Sequence, residues 1–232
     1  MELVTWSDPK YFVFANALIR SLRYHENENI IHYNLMDFNE EQCEKVKNMF
    51  AKDSKIRFIR TNSNQFDYKV NNKTEFYRNY RPRLFLKLLE QSESGKICTF
   101  GANGIVFTKL CYVEEHLDKN DFVFLERQKQ NVHTSSPKRV SGIDDVQALV
   151  EQGLDLDKIL ETTTGKVVLL GLHAMRNSEV CHEILKNWIE MIEHTSVVNK
   201  TYSDMNLFVK SVINYQMKNN IKIKTATSRG TP

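Results

Sequence analysis

No apolar run in these 232 residues is long enough to cross a bilayer, and the first one, Leu3-Val4-Thr5-Trp6, is far too short for a secretory core. The chain therefore reads as soluble, and a peripheral membrane contact stays open because it needs only a surface patch. The four cysteines, Cys43, Cys98, Cys111 and Cys181, form no C-x-x-C pair. That spacing argues against zinc ribbons and disulfide scaffolds, and it fits buried, reduced thiols in a cytoplasmic protein. Neither charge sign dominates: 32 basic and 29 acidic residues leave +3. So small a surplus argues against a nucleic-acid reader with a committed basic face. Gly-Ser linkers, internal repeats and long charge blocks are also missing, so one domain over residues 1–232 is expected. Gly101 and Gly104 do not make G-x-G-x-x-G, Gly165-Lys166 has no P-loop glycine ahead of it, and His182-Glu183 lacks the second histidine of a zincin helix. Dehydrogenase, NTPase and metalloprotease chemistry lose their usual signatures. Trp6 to Lys10 also lacks the Gly-rich basic loop of a nucleotidyltransferase.

What is present is alternation. Leu3 to Trp6 reads as a buried strand, and Ser7-Asp8-Pro9 as a loop and helix start. Tyr11, Ala15, Leu18, Ile19 and Leu22 then make one apolar stripe of helical period. Ile30 to Leu35 is a second strand, Glu40 to Phe50 a helix burying Cys43, Val46, Met49 and Phe50, and Ile56 to Ile59 a third strand. The order β-α-β-α-β predicts an α/β fold with a mainly parallel twisted sheet flanked by helices, and ligands bind beyond the carboxyl ends of such strands. Asn62 to Tyr80 is polar and aromatic and reads as a long loop over a site. Arg81-Pro82-Arg83 opens a helix from Leu84 to Leu89, Lys96 to Phe100 is a strand, and Gly104 to Phe107 resumes an apolar strand after a break at 101 to 103. Further strands are expected at Asp121 to Leu125 and Lys166 to Met175, with a polar loop from Gln128 to Ser141 and short helices at 144–150 and 154–160 between them. Two helices close the chain, one burying Val180, Ile184, Trp188 and Met191, the other capped by Ser203 and burying Leu207, Phe208, Val212 and Tyr215. A last strand is expected at Ile221 to Lys224.

Three segments resemble the GT-A glycosyltransferases of bacteria and viruses, especially the small family-8-like enzymes, over nearly the whole chain. Ser21-Leu22 and Tyr33-Asn34-Leu35 stand where that family ends its first helix and second strand. Tyr80 to Leu89, followed by Gly95-Lys96-Ile97-Cys98-Thr99-Phe100, is similar to the helix and strand that deliver the family's Asp-x-Asp motif. In that register Gly101 and Asn103 occupy the two aspartate positions. Gly171 to Ser178, the Trp188 helix and Ser203-Asp204 resemble the family's strand, helix and Asp-Gln ending, with Met205 in place of Gln.

The resemblance implies transfer of a sugar from a nucleotide-diphosphate sugar to a glycan or other hydroxyl acceptor. In the family a divalent cation bridges the two aspartates and the diphosphate, as suits hard oxygen ligands. Gly101-Ala102-Asn103 offers one neutral oxygen, so no cofactor and no metal ligands are expected; Mn²⁺ or Mg²⁺ enters only if the register at 101–103 is wrong. Arg81, Arg83 and Lys87 are then the cations placed to meet the diphosphate, the two arginines in a helix's first turn where the dipole does not want them. Trp6, Ser7, Asp8 and Asn62 follow strands and are candidates for the donor nucleotide, alongside Gly101, Ala102 and Asn103. Asp204 is the candidate acid-base carboxylate and Glu126 its alternative. The alternative function is a catalytically silent GT-A-like domain that binds a nucleotide, a glycan or a protein partner.

Overall fold

The computed structural model describes residues 1–25, 28–65, 73–126, 168–197, 204–219 and 225–228. Strand β1 (Glu2–Ser7) leads through a 3₁₀ turn (Pro9–Tyr11) into α1 (Phe12–His25). Strand β2 (Ile31–Met36), α2 (Glu40–Met49) and β3 (Ile56–Thr61) follow, then α3 (Lys73–Gln91), β4 (Lys96–Gly101), α4 (Cys111–Leu117) and β5 (Phe122–Glu126). Strand β6 (Val168–Arg176), α5 (Glu179–Val197), α6 (Asp204–Asn219) and β7 (Thr225–Ser228) complete the described chain.

The seven strands form one sheet in the order β3-β2-β1-β4-β6-β5-β7. Pairs among β3, β2, β1 and β4 are parallel, β6 runs against both β4 and β5, and β7 is parallel to β5. Period-2 alternation divides the core. Leu3, Tyr33, Leu35, Cys98 and Phe100 pack on Ala15, Leu18, Ile19 and Leu22 of α1, Cys43 and Val46 of α2, and Val113 of α4. Val4 and Ile97 face the other way, onto Phe85 and Leu88 of α3, Ile184 and Trp188 of α5, and Phe208 of α6. Burying both faces is what an apolar parallel strand demands. The crossovers leave β1 toward β2 on one side and β4 on the other, so the strand order reverses between β1 and β4. A crevice at such a reversal is where open α/β sheets take ligands.

Several expectations are corrected. The helix expected from Leu84 begins at Lys73, and Pro82 lies inside it. A proline there removes one backbone hydrogen bond and bends the helix. Helix continuity is kept by packing on both sides of it: Phe76 stacks on Tyr80 at 5.7 Å, and Leu84, Phe85, Leu88 and Leu89 are buried. Arg81 and Arg83 are therefore mid-helix, and the dipole at a first turn has no bearing on them. Much of the segment expected as a loop, from Lys73 to Tyr80, is helical; residues 66–72 lie outside the described residues. Gly104 to Phe107 is not a strand, because the Val106 N–H donates to Ser21 Oγ of α1 at 3.0 Å and so leaves the sheet. Tyr11 and Met49 are exposed rather than core, since the 3₁₀ turn puts Tyr11 off the α1 stripe. Cys111 is exposed, whereas the other three thiols are buried. The last strand is Thr225–Ser228. The expected loop at 128–141, the helices at 144–150 and 154–160, the Ser203 cap and residues 221–224 fall outside the described residues.

Candidate active site

The carboxyl ends of β1, β2, β3 and β4 lie along one edge, and the register sets a row across them. Trp6 pairs with Gly101 of β4 on one side and Asn34 of β2 on the other, and Asn34 pairs with Ile59 of β3. Side chains of one row share a face, here the face under α3. Trp6 packs on Phe85 with ring centroids 5.6 Å apart, and the Arg81 guanidinium carbon sits 5.8 Å from the Trp6 ring centroid. That spacing is within cation–π range. Gly101 has no side chain beside the indole, so the row is open at the point where the strand order reverses. The chain then turns sharply, with Gly104 N–H donating to Gly101 O at 3.0 Å. A Cβ on Gly101 would meet only Asn103 Oδ1, at 3.2 Å, the far end of an exposed side chain.

A polar rim surrounds this opening. Asp8 accepts the Tyr11 N–H at 2.9 Å and caps the 3₁₀ turn. Ser7 Oγ and Tyr33 OH are 2.6 Å apart, both buried. Thr61 Oγ1 donates to Asn34 Oδ1 at 3.0 Å, and Asn34 Nδ2 is buried with no hydrogen-bond partner. Asp37, just past β2, has φ 56°, a left-handed conformation that a non-glycine residue adopts at a cost. Its carboxylate accepts from Ser63 N at 2.7 Å, from Ser63 Oγ at 2.8 Å and from Tyr77 OH at 2.9 Å. Burial pushes the Tyr77 phenol well above its ordinary value, and the bond to Asp37 and the charges of Asp37 and Asp8 push it further. Burial likewise raises the Tyr33 phenol, with Asp8 adding to it against the Ser7 bond. The Tyr77 hydroxyl donates to Asp37, and either hydroxyl of the Ser7–Tyr33 pair can be the donor.

These contacts sort the expected residues. Trp6, Ser7, Asp8, Asn62, Arg81, Gly101, Ala102 and Asn103 gather at the carboxyl edge. Arg83 forms an ion pair with Glu193 of α5. Lys87 is exposed and lies two residues, or about 200°, round the helix from Phe85, whose ring faces Trp6. Glu126 ends β5, which runs parallel to β4, so its backbone reaches the same edge two strands away. Asp204 opens α6. Ser211 Oγ of that helix donates to Ile184 O, and two turns earlier brings Asp204 toward the carboxyl edge. Tyr33, Asn34, Asp37, Ser63 and Tyr77 were not among the expected site residues, whereas Thr61 was expected at this edge as part of Arg60-Thr61-Asn62. A polar Asn inside the apolar strand Ile31–Met36 was the available signal.

The residues at 101–103 do not fit a tight divalent-cation site: glycine and alanine carry no ligand, and Asn103 carries one neutral oxygen. Asp8 and Asp37, which follow β1 and β2 at the same edge, are engaged as described. Among the described residues no group of three or more His, Cys, Asp or Glu side chains converges.

Neither a family model nor a curated protein matches the sequence. Solved structures do. The galactosyltransferase LgtC, in complex with donor and acceptor sugar analogues, aligns at a TM-score of 0.58 and 13% identity over 99% of this chain and 73% of its own. The chain has the GT-A glycosyltransferase fold. The bifunctional glycosyltransferase WbbM aligns with the GT-A chain at a TM-score of 0.60 and 12% identity over 98% of this chain. GlyE of Streptococcus pneumoniae aligns at 0.53 and 13% over the same share. The present GT-A chain spans 38% of WbbM and 45% of GlyE.

Proposed function

We propose that this chain transfers a sugar from a nucleotide-diphosphate donor to a hydroxyl of a glycan or other acceptor, without a bound divalent cation. The observation that carries this is the Arg81 guanidinium over Trp6, in a row left open by Gly101 at the strand-order reversal. In the reaction an acceptor oxygen bonds to the anomeric carbon while the bond from that carbon to the diphosphate breaks. Negative charge grows on the departing diphosphate, and a guanidinium can meet it with paired N–H donors. Arg81 takes that role. Trp6, Ser7 and Asp8 seat the nucleotide with Asn62, the 101–103 turn borders the sugar, and Asp204 or Glu126 accepts the acceptor's proton.

The test is a screen of nucleotide sugars for donor hydrolysis and thermal stabilisation, each with EDTA and with Mn²⁺. Hydrolysis unchanged by EDTA supports the cation-free transferase. Turnover that requires Mn²⁺ removes the cation-free part of the reading. Stabilisation by a nucleotide without turnover on any donor and acceptor points instead to a binding module. Silence to every nucleotide overturns the proposal.

A further inference from the structure

Beside the carboxyl edge, and independent of the reading above, the molecule exposes apolar side chains that neither core uses. On α1, Phe14, Ala17, Ser21 and Tyr24 recur at spacings of three, four and three residues, one stripe of the helix. Phe14 is 53% exposed and Tyr24 84%, and the neighbouring Val13 is 72% exposed. The strap after the 101–104 turn lies over this stripe: Val106 is buried against α1 with its N–H on Ser21 Oγ. Its two neighbours point out, Ile105 56% and Phe107 82% exposed. Two separate segments thus present aliphatic and aromatic side chains around Ser21.

The charge along these two segments has one sign, the carboxylates of Asp53 and Glu114 beside them being paired with Arg23 and the N-terminal amine. From Pro9 to His25 and from Gly101 to Val113 there is no Asp or Glu, whereas Lys10, Arg20 and Lys109 are exposed there. Asp8, at the margin, is taken up in capping the 3₁₀ turn. Aromatic and aliphatic groups fringed by lysine and arginine, with no acid among them, match an anionic lipid surface, where apolar tips enter the headgroup boundary and each basic side chain gains from the negative surface potential. A second copy of this chain would set Lys10, Arg20 and Lys109 against their own counterparts with no carboxylate to relieve them. We infer that the α1 face and the 105–107 strap dock this protein on an anionic membrane.

The experiment is co-sedimentation of the whole chain with vesicles of phosphatidylcholine, with and without roughly one quarter phosphatidylglycerol. Binding is expected to the anionic vesicles, not to the neutral ones, and to fall away in about 0.5 M NaCl. Phe14→Ser with Phe107→Ser, and separately Arg20→Glu with Lys109→Glu, should each lower the partition coefficient by about tenfold or more. Lys186→Glu with Lys218→Glu, an equal charge change on α5 and α6, should leave it within about twofold. The inference is overturned by absent binding to anionic vesicles, by equal binding to neutral ones, or by equal loss in the Lys186 and Lys218 control. It is also overturned if the chain forms a concentration-dependent dimer that Phe14→Ser with Phe107→Ser dissolves while vesicle binding is unchanged.

Discussion

Strands β1 and β2 carry buried polar side chains at both ends, and the two ends are built on different terms. At the amino end His32 Nε2 lies 2.5 Å from Glu2 Oε2, while Ser92 Oγ and Ser94 N donate to Glu2 Oε1 at 2.7 and 3.3 Å. Each carboxylate oxygen has a partner within the chain. At the carboxyl end Asn34 Nδ2 has none, Asp37 holds a left-handed backbone, and the row between Asn34 and Trp6 runs on to a residue without a side chain. A closed polar network contributes stability and nothing else, whereas an open one retains capacity for a ligand. The contrast leaves capacity for a ligand at one end of the same two strands, and the proposed function rests on that end.

The sharpest way to break the contrast is at the closed end. Glu2→Ala leaves the buried His32 without its acceptor and takes one from the half-buried Ser92, and it should cost about 1–3 kcal/mol in chemical denaturation at neutral pH. Burial alone would raise the Glu2 carboxyl, but the bonds from His32, Ser92 and Ser94 outweigh it and hold it below its usual value. A depressed carboxyl contributes stability that is fully present above the unfolded-state value near 4.5 and is lost as pH falls through the folded-state value. The difference between wild type and Glu2→Ala should therefore narrow in acid. A gap that persists unchanged at low pH would remove Glu2 from this role.

At the open end the largest effect is expected on activity. Arg81→Ala should lower donor turnover by about a hundredfold, the size of one lost stabilising donor group, and barely shift the melting temperature. Arg83→Ala should do the reverse, because its guanidinium is taken up by Glu193: a small loss of stability and turnover within about twofold. Equal kinetic losses in both variants would mean that α3 acts as a whole and that Arg81 has no special place on it.

Asp37 joins β2 to Ser63 and to Tyr77 on the first part of α3, and so it fixes the helix that carries Arg81. Asp37→Ala should cost about 2–3 kcal/mol from three lost charge-assisted bonds, while it keeps the Cβ at positive φ. Asp37→Gly relieves the backbone and should recover about 1 kcal/mol of that, as thermal melts of the pair can read. If the two variants melt together, the φ of 56° costs nothing and the loss belongs to the carboxylate alone.

How far the sequence carried depends on what kind of force set each feature. The parallel half was legible because apolar period and helix spacing are local: Ala15, Leu18, Ile19 and Leu22 were read as one face and are buried as one. The α3 start was not legible, because a proline at 82 reads as a boundary and only tertiary packing of Phe76 and Tyr80 overrides it. Edge placement of Trp6, Asp8 and Asn62 followed from the rule for parallel sheets, and that of Gly101 from the resemblance. Lys87 is exposed and about 200° round α3 from Phe85, a placement that sequence proximity to Arg83 does not give. Tyr33, Asp37 and Tyr77 escaped because hydrogen bonds spanning tens of residues leave no local trace.

The smallest predicted effect tests whether the open end is open for a reason. Asn34→Leu removes an amide whose Nδ2 is unsatisfied and leaves Thr61 Oγ1 without its acceptor, two changes that oppose each other. The variant should stay within about 1 kcal/mol of wild type in free stability. Its stabilisation by a nucleotide sugar should weaken if Asn34 supports the donor through the row it shares with Trp6. A variant that is clearly less stable yet keeps full donor-induced stabilisation would make Asn34 a structural residue like Glu2, and the opening would then reduce to Trp6, Gly101 and Arg81.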